Sequence, residues 1–140
     1  MQHFPNALNY ISPDMWETTD VGVLLIRFTS ASPLMTESTV DDLLSPGLVL
    51  ECIDASYSRK IFSTPLVTTY GTTGKRLTAD SPVWTALSGT DGVLGAITYV
   101  DGATDADRHL LAYYDEFYGP LVGGDVTFSI TWLYDFQFAS

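Results

Sequence analysis

Val126-Thr127-Phe128-Ser129-Ile130-Thr131-Trp132 alternates without a break. Valine, phenylalanine, isoleucine and tryptophan fall on one side of an extended chain, and threonine and serine on the other. A period of two marks a β-strand with one buried face. A helical period of 3.6 would scatter these four apolar residues around the axis. Outward from this stretch the same kind of signal recurs. Val93–Val100 is a strand between the turn Ser88-Gly89-Thr90-Asp91-Gly92 and the Asp/Gly-rich turn 101–107. Leu110–Asp115 is short and carries paired tyrosines, which favours strand. Leu133–Phe138 extends the opening strand or begins another.

Toward the N-terminus the strands continue. Leu77–Pro82 leads into Val83–Leu87, where the alternation is weak. Tyr57–Thr64 and Leu66–Tyr70 are extended on either side of Pro65, which marks a bend or an edge. Leu48–Ile53 and Val21–Thr29 are apolar and β-branched. One helical turn or two is expected within Thr36–Leu44. Ser38 or Thr39 can cap it, Asp41 and Asp42 suit its positive end, and Pro46-Gly47 stops it. Seven to nine short strands with one short helix predict an all-β fold: a jelly roll or β-sandwich of about eight antiparallel strands.

Residues 1–20 are expected to form an extended arm, and 21–140 the domain. The arm is irregular yet apolar, with Phe4, Leu8, Tyr10, Ile11, Met15 and Trp16. A disordered tail rarely holds so many large hydrophobic residues. It packs either on its own domain or on a neighbour. On the second alternative Phe4, Tyr10 and Trp16 are the interface residues, followed by Tyr134, Phe136 and Phe138 near the C-terminus. Removal of residues 1–16 is then expected to weaken binding and leave the fold intact.

Composition narrows the function. The 140 residues are 46% hydrophobic and 16% charged, against about 25% charged in ordinary domains. Six Lys and Arg oppose 17 Asp and Glu, for a formal charge of −11. The cations are Arg27, Arg59, Lys60, Lys75, Arg76 and Arg108, too thinly spread to form a phosphate-binding patch. The net field repels DNA, RNA and anionic lipid. Cys52 is the only cysteine and reads as a small buried hydrophobe, so the chain suits a reducing compartment. The opening Met1-Gln2-His3-Phe4-Pro5 lacks the basic and apolar regions of a secretory signal. No apolar run is long enough to cross a bilayer as a helix.

Catalytic chemistry finds few residues to use. His3 and His109 lie in different contexts and do not form the histidine cluster of a metal-binding jelly roll. No serine sits in Gly-x-Ser-x-Gly. Gly71-Thr72-Thr73-Gly74-Lys75-Arg76 lacks the spacing of a phosphate loop. Asp115 with Glu116, and the trio Asp101, Asp105 and Asp107, are the carboxylate groups to weigh. The trio has neither the order nor the terminal glutamate of an EF-hand, so a self-bonded turn is expected and calcium binding is the alternative. No enzyme, metal or other cofactor is expected.

A longer series carries a resemblance. Tyr57-Ser58-Arg59-Lys60-Ile61 follows an apolar stretch. Then come Val83-Trp84-Thr85-Ala86-Leu87-Ser88-Gly89, Gly92-Val93-Leu94-Gly95-Ala96-Ile97-Thr98-Tyr99 and Asp105. Leu110-Leu111-Ala112-Tyr113-Tyr114-Asp115, Gly123-Gly124-Asp125-Val126-Thr127-Phe128 and Trp132 complete it. In order and spacing, residues 21–132 resemble the jelly-roll cement or decoration proteins of tailed-bacteriophage capsids. The resemblance implies a virion protein, assembled in the host cytoplasm and placed on the capsid exterior. Its partners would be the major capsid protein and a second copy of itself, as a homodimer, with no nucleic acid and no membrane. Neither the arm nor the segment after Trp132 is matched. Two alternatives stand beside it: a phage tail, fibre or head–tail joining protein, and a carbohydrate-binding module stacking sugars on Trp16, Trp84, Trp132 and tyrosines.

Overall fold

The structure, a computed structural model, describes residues 2–70, 74–87, 92–115, 124–128 and 134–137. Along the chain run β1 (Gln2–His3), α1 (Ala7–Tyr10), α2 (Pro13–Trp16), β2 (Val21–Arg27), α3 (Val40–Leu44), β3 (Lys60–Ile61) and β4 (Leu66–Tyr70). They are followed by β5 (Gly74–Thr78), β6 (Val83–Leu87), β7 (Val93–Val100), β8 (His109–Tyr114), β9 (Gly124–Thr127) and β10 (Tyr134–Gln137). Every pairing is antiparallel. The orders are β1-β8-β7-β2-β3, β10-β5-β4 and β6-β9. The protein is an all-β sandwich, as its strand pattern predicts.

The five-stranded sheet is covered on both faces, and β2 shows why its sequence is apolar at nearly every position. Val21, Val23 and Leu25 join one core, while Leu24 and Ile26 join the other. Alternate residues thus go to opposite faces, and each face finds an apolar cover. The first cover is the pair of smaller sheets. Leu77 of β5, Trp84 and Leu87 of β6, and Val126 of β9 close over β2, Ala96 and Leu111. The second cover is Phe4, Val49 and α3, whose Val40 and Leu43 sit on Ile97, Tyr99, Leu110 and Tyr113. Each such side chain contributes roughly 1.5–3 kcal/mol when fully buried. Gly22 is needed where β2 passes β7: a Cβ there would lie 2.5 Å from Cζ of Tyr99, whose ring covers that spot.

Of the opening stretch, Val126 and Phe128 are buried and Thr127 between them is exposed, in keeping with the alternation. Ser129–Thr131 and Trp132 lie outside the described residues. Helix α3 is the expected one, capped by Thr39. The Thr39 hydroxyl accepts from the Asp42 N–H at 3.1 Å, and the Asp42 carboxylate accepts from the Thr39 N–H at 3.2 Å. Two further single-turn helices, α1 and α2, occupy the segment expected to be an extended arm.

Other expectations change. Leu48–Ile53 is not a strand; Glu51 makes one isolated bridge to Ile26, and Leu48 and Ile53 are exposed. Of Tyr57–Thr64 only Lys60–Ile61 pairs, at the edge of β2. Strand β5 starts at Gly74 rather than Leu77, because its ladder with β4 runs from Gly74↔Tyr70 to Thr78↔Leu66.

Candidate interaction site

The N-terminal segment packs on its own domain. The Phe4 N–H donates to the Leu111 carbonyl at 3.0 Å, continuing the β1–β8 ladder of Gln2↔Tyr113 and His3↔Ala112. Phe4 then drops into the α3-side core. Ala7, Ile11 and Trp16 enter the sandwich core, where Trp16 is fully buried. The Trp16 indole N–H donates to the Thr78 carbonyl at 2.8 Å, tying α2 to β5. Phe4 and Trp16 are therefore core residues and not the exposed anchors expected of a free arm. A proline-broken, aperiodic segment gives no face to read, so only its apolar content marked it for packing. Tyr10 is half-buried, its ring stacked on His109 at 3.7 Å and nearly parallel. Leu8 and Met15 face solvent.

The C-terminal candidates divide differently. Tyr134 and Phe136 lie on β10, opposite Leu77 and Lys75 of β5. Phe138 and Glu116 lie outside the described residues. The structure thus does not bring Phe4, Tyr10 and Trp16 together with Tyr134 and Phe136 as one exposed surface.

The acidic loop after β7 serves as a seat for arginines. Arg59 grips two carboxylates at once. Its Nε and Nη2 donate to Glu51 at 2.8 Å each, and its Nη1 and Nη2 donate to Asp105 at 2.6 and 3.3 Å. Arg108 donates to Asp105 at 2.7 Å and to Asp101 at 2.9 Å. Asp107 accepts from the Thr104 hydroxyl at 3.0 Å. The Tyr57 hydroxyl donates to Glu51 at 2.6 Å and accepts from the Leu25 N–H at 3.1 Å. Arg59 also lies 5.9 Å from the centre of the Tyr99 ring. The charges act on one another as the geometry requires. The hydrogen bond from Arg59 and the positive charge of Arg108 hold Asp105 below the usual carboxylate range, against the opposing effect of burial. The Glu51 hydrogen bond raises Arg59. Burial pushes the Tyr99 phenol up to about 12, and burial, reinforced by Glu51, raises Tyr57 further. This is a structural clamp joining β2, the 51–59 loop and the 101–108 loop. Among the described residues no three His, Cys, Asp or Glu side chains are placed to share a metal ion.

Sequence reasoning missed a surface notch beside α3. Leu43, Pro46 and Val49 line an open cavity of about 110 Å³, with Leu34 and Leu48 at its mouth. Leu34 is 75% exposed and Leu48 64%. Two loops frame it and are stitched together: the Ala31 N–H donates to the Leu48 carbonyl at 3.2 Å, and the Leu50 N–H to the Ser30 hydroxyl at 2.8 Å. Glu37 folds back on its own loop, accepting from the N–H groups of Leu34 (3.2 Å) and Thr36 (3.0 Å). Met35 holds a left-handed backbone at φ 66° between them. The one available signal was Leu48 and Ile53 in a run read as a strand; their exposure follows from the absence of a ladder there.

Cys52 is buried, as expected of a small hydrophobe. Asp115 is exposed. No helix among the described residues is long and apolar enough to cross a membrane. Compared with family models, curated proteins and solved structures, the chain matches none.

Proposed function

We propose that this chain is a virion structural protein, a cement or decoration protein that binds the outside of a phage head and bridges its major capsid subunits. The observation that carries the reading is the preformed apolar notch with two leucines at its mouth, on an acidic β-sandwich otherwise poor in surface charge. Holding a protein needs apolar anchor points inside a polar surround that excludes water. It does not need a reactive group, and of the carboxylates grouped after β7, Asp101 and Asp105 are occupied with arginines and Asp107 with the Thr104 hydroxyl. An acidic module fits the outside of a shell better than its DNA-filled interior. The order of motifs across residues 21–132 points the same way.

Self-association belongs to the same reading. Strand β4 is the outer strand of its sheet, and its Val67 N–H is covered by the Glu17 carboxylate at 3.1 Å. Strand β3 (Lys60–Ile61) is the outer strand of the five-stranded sheet and suits pairing with a second copy; the β2 edge beyond it is already taken by Leu50, Cys52, Phe62 and the Tyr57 hydroxyl. A sugar-stacking role has lost two of its three tryptophans, because Trp16 and Trp84 are inside the core.

The test adds the purified protein to expanded phage heads that lack it. Binding, with heads that rupture at higher temperature, is the expected result. Heads that neither bind it nor gain stability would sink the reading.

A further inference from the structure

We propose that the notch beside α3 takes a single aliphatic side chain, such as leucine or methionine, from an extended segment of another protein, and that this segment carries Lys or Arg beside its anchor. The proposal rests on the reading of the chain as a protein-holding module and names what that module holds.

Size sets the anchor. The cavity measures about 110 Å³. An apolar cavity of about 150 Å³ accommodates benzene, so this smaller, open one suits a leucine or methionine side chain better than an indole. Its walls are Leu43, Pro46 and Val49, and Leu34 and Leu48 can close over the entering chain. The framing loops are held by the Ala31–Leu48 and Leu50–Ser30 hydrogen bonds, so little ordering accompanies binding.

Charge sets the flanks. Glu37 and Asp42 line the notch, and Asp41 is exposed one residue away on α3. Glu37 and Asp42 accept hydrogen bonds from backbone N–H groups. No Lys or Arg among the described residues forms an ion pair with any of the three. Arg59 and Arg108 are committed to the clamp, and Arg27 donates to the Glu51 carbonyl at 2.8 Å. Two carboxylates lining one apolar hole, with a third exposed on the same helical turn, favour a basic segment and repel an acidic one. A second copy, at a formal −11, is poorly suited to that mouth.

The probe is a capped pentapeptide with leucine between two pairs of lysines, titrated into the full-length ¹⁵N-labelled chain. Amide shifts are expected to centre on residues 31–37 and 42–49. Replacing the peptide's leucine by serine should weaken binding about tenfold or more. Replacing its lysines by glutamates should abolish it, and added salt should weaken it. L48S alters an exposed residue and should keep the melting temperature while lowering affinity about tenfold. Binding indifferent to the central leucine, or shifts spread over the acidic surface, would overturn the proposal. So would L48S turning a dimer into a monomer, which would give the notch to a second copy. If heads are stabilised but the peptide does not bind, the notch proposal fails alone. If the peptide binds and heads are unaffected, the cement reading fails alone.

Discussion

Trp16→Ala is the sharpest test of where the N-terminal segment belongs. Trp16 is fully buried among Ile11, Leu77 and their neighbours. A buried aromatic of this size removes roughly 150–250 Å² from water. At about 25 cal/mol per Å² that is about 4–6 kcal/mol, an upper bound because unfolded chains already bury some surface. Measured Trp-to-Ala losses in cores run about 3–5 kcal/mol. The lost indole bond to Thr78 adds to the figure unless water reaches that carbonyl. About 4 kcal/mol is therefore expected, out of the 5–15 typical of a whole domain. The melting temperature should fall by roughly 12 °C. Urea unfolding followed by far-UV circular dichroism measures it, with Leu8→Ala as the control, since Leu8 is 63% exposed and should change stability by less than about 0.5 kcal/mol. Deleting residues 1–16 removes Phe4, Ala7, Ile11 and Trp16 together and should leave the chain unfolded. A Trp16→Ala loss below about 1 kcal/mol, or a cooperative transition in the truncated chain, would refute the placement of this segment in the core.

The clamp gives two further outcomes. Arg59→Met should cost about 2 kcal/mol in urea unfolding, between the values for exposed and for buried ion pairs, since Arg59 and Glu51 are 25% and 20% exposed. Asp105 titrates below its ordinary value, chiefly through Arg59. Its contribution is then complete above the unfolded carboxylate pKa of about 3.9 and is lost as pH falls toward the folded value. Asp105→Asn should flatten that acid limb of the stability–pH curve and leave its slope at neutral pH unchanged. Ala86 is exposed with a left-handed backbone at φ 53°, so Ala86→Gly should raise stability by about 0.5–1 kcal/mol, read as a higher urea midpoint. Thr39→Ala should lose about 1 kcal/mol by removing the α3 cap, while Thr39→Ser keeps most of it.

What was legible in the sequence followed local periodicity. Val21–Arg27, Val93–Val100 and the Val126–Phe128 alternation each carry their own signal, and Thr39 with Asp41 and Asp42 announces a helix start. What was not legible depends on partners far away in the chain. Leu48–Ile53 has strand composition but forms a single bridge with β2, Ile26↔Glu51, and no ladder, so it stays a loop and Leu48 faces water. Phe4 and Trp16 looked like anchors for a neighbour because large apolar residues in an irregular segment say that something is buried, not where. Arg59 stood out only as one of six scattered cations; its grip on Glu51 and Asp105 joins residues 46 positions apart. The notch is the least legible feature, since it is a gap between two loops and one helix turn.

The pairing of β1 with β8 has a consequence for synthesis. Gln2 meets Tyr113, so at about 5–20 residues per second the first strand leaves the ribosome roughly 5–20 s before its partner exists. Through that interval Phe4, Ile11 and Trp16 have no core to enter. The nascent segment is then an obvious place for a holding chaperone to bind, and the fold can close only once most of the chain has emerged.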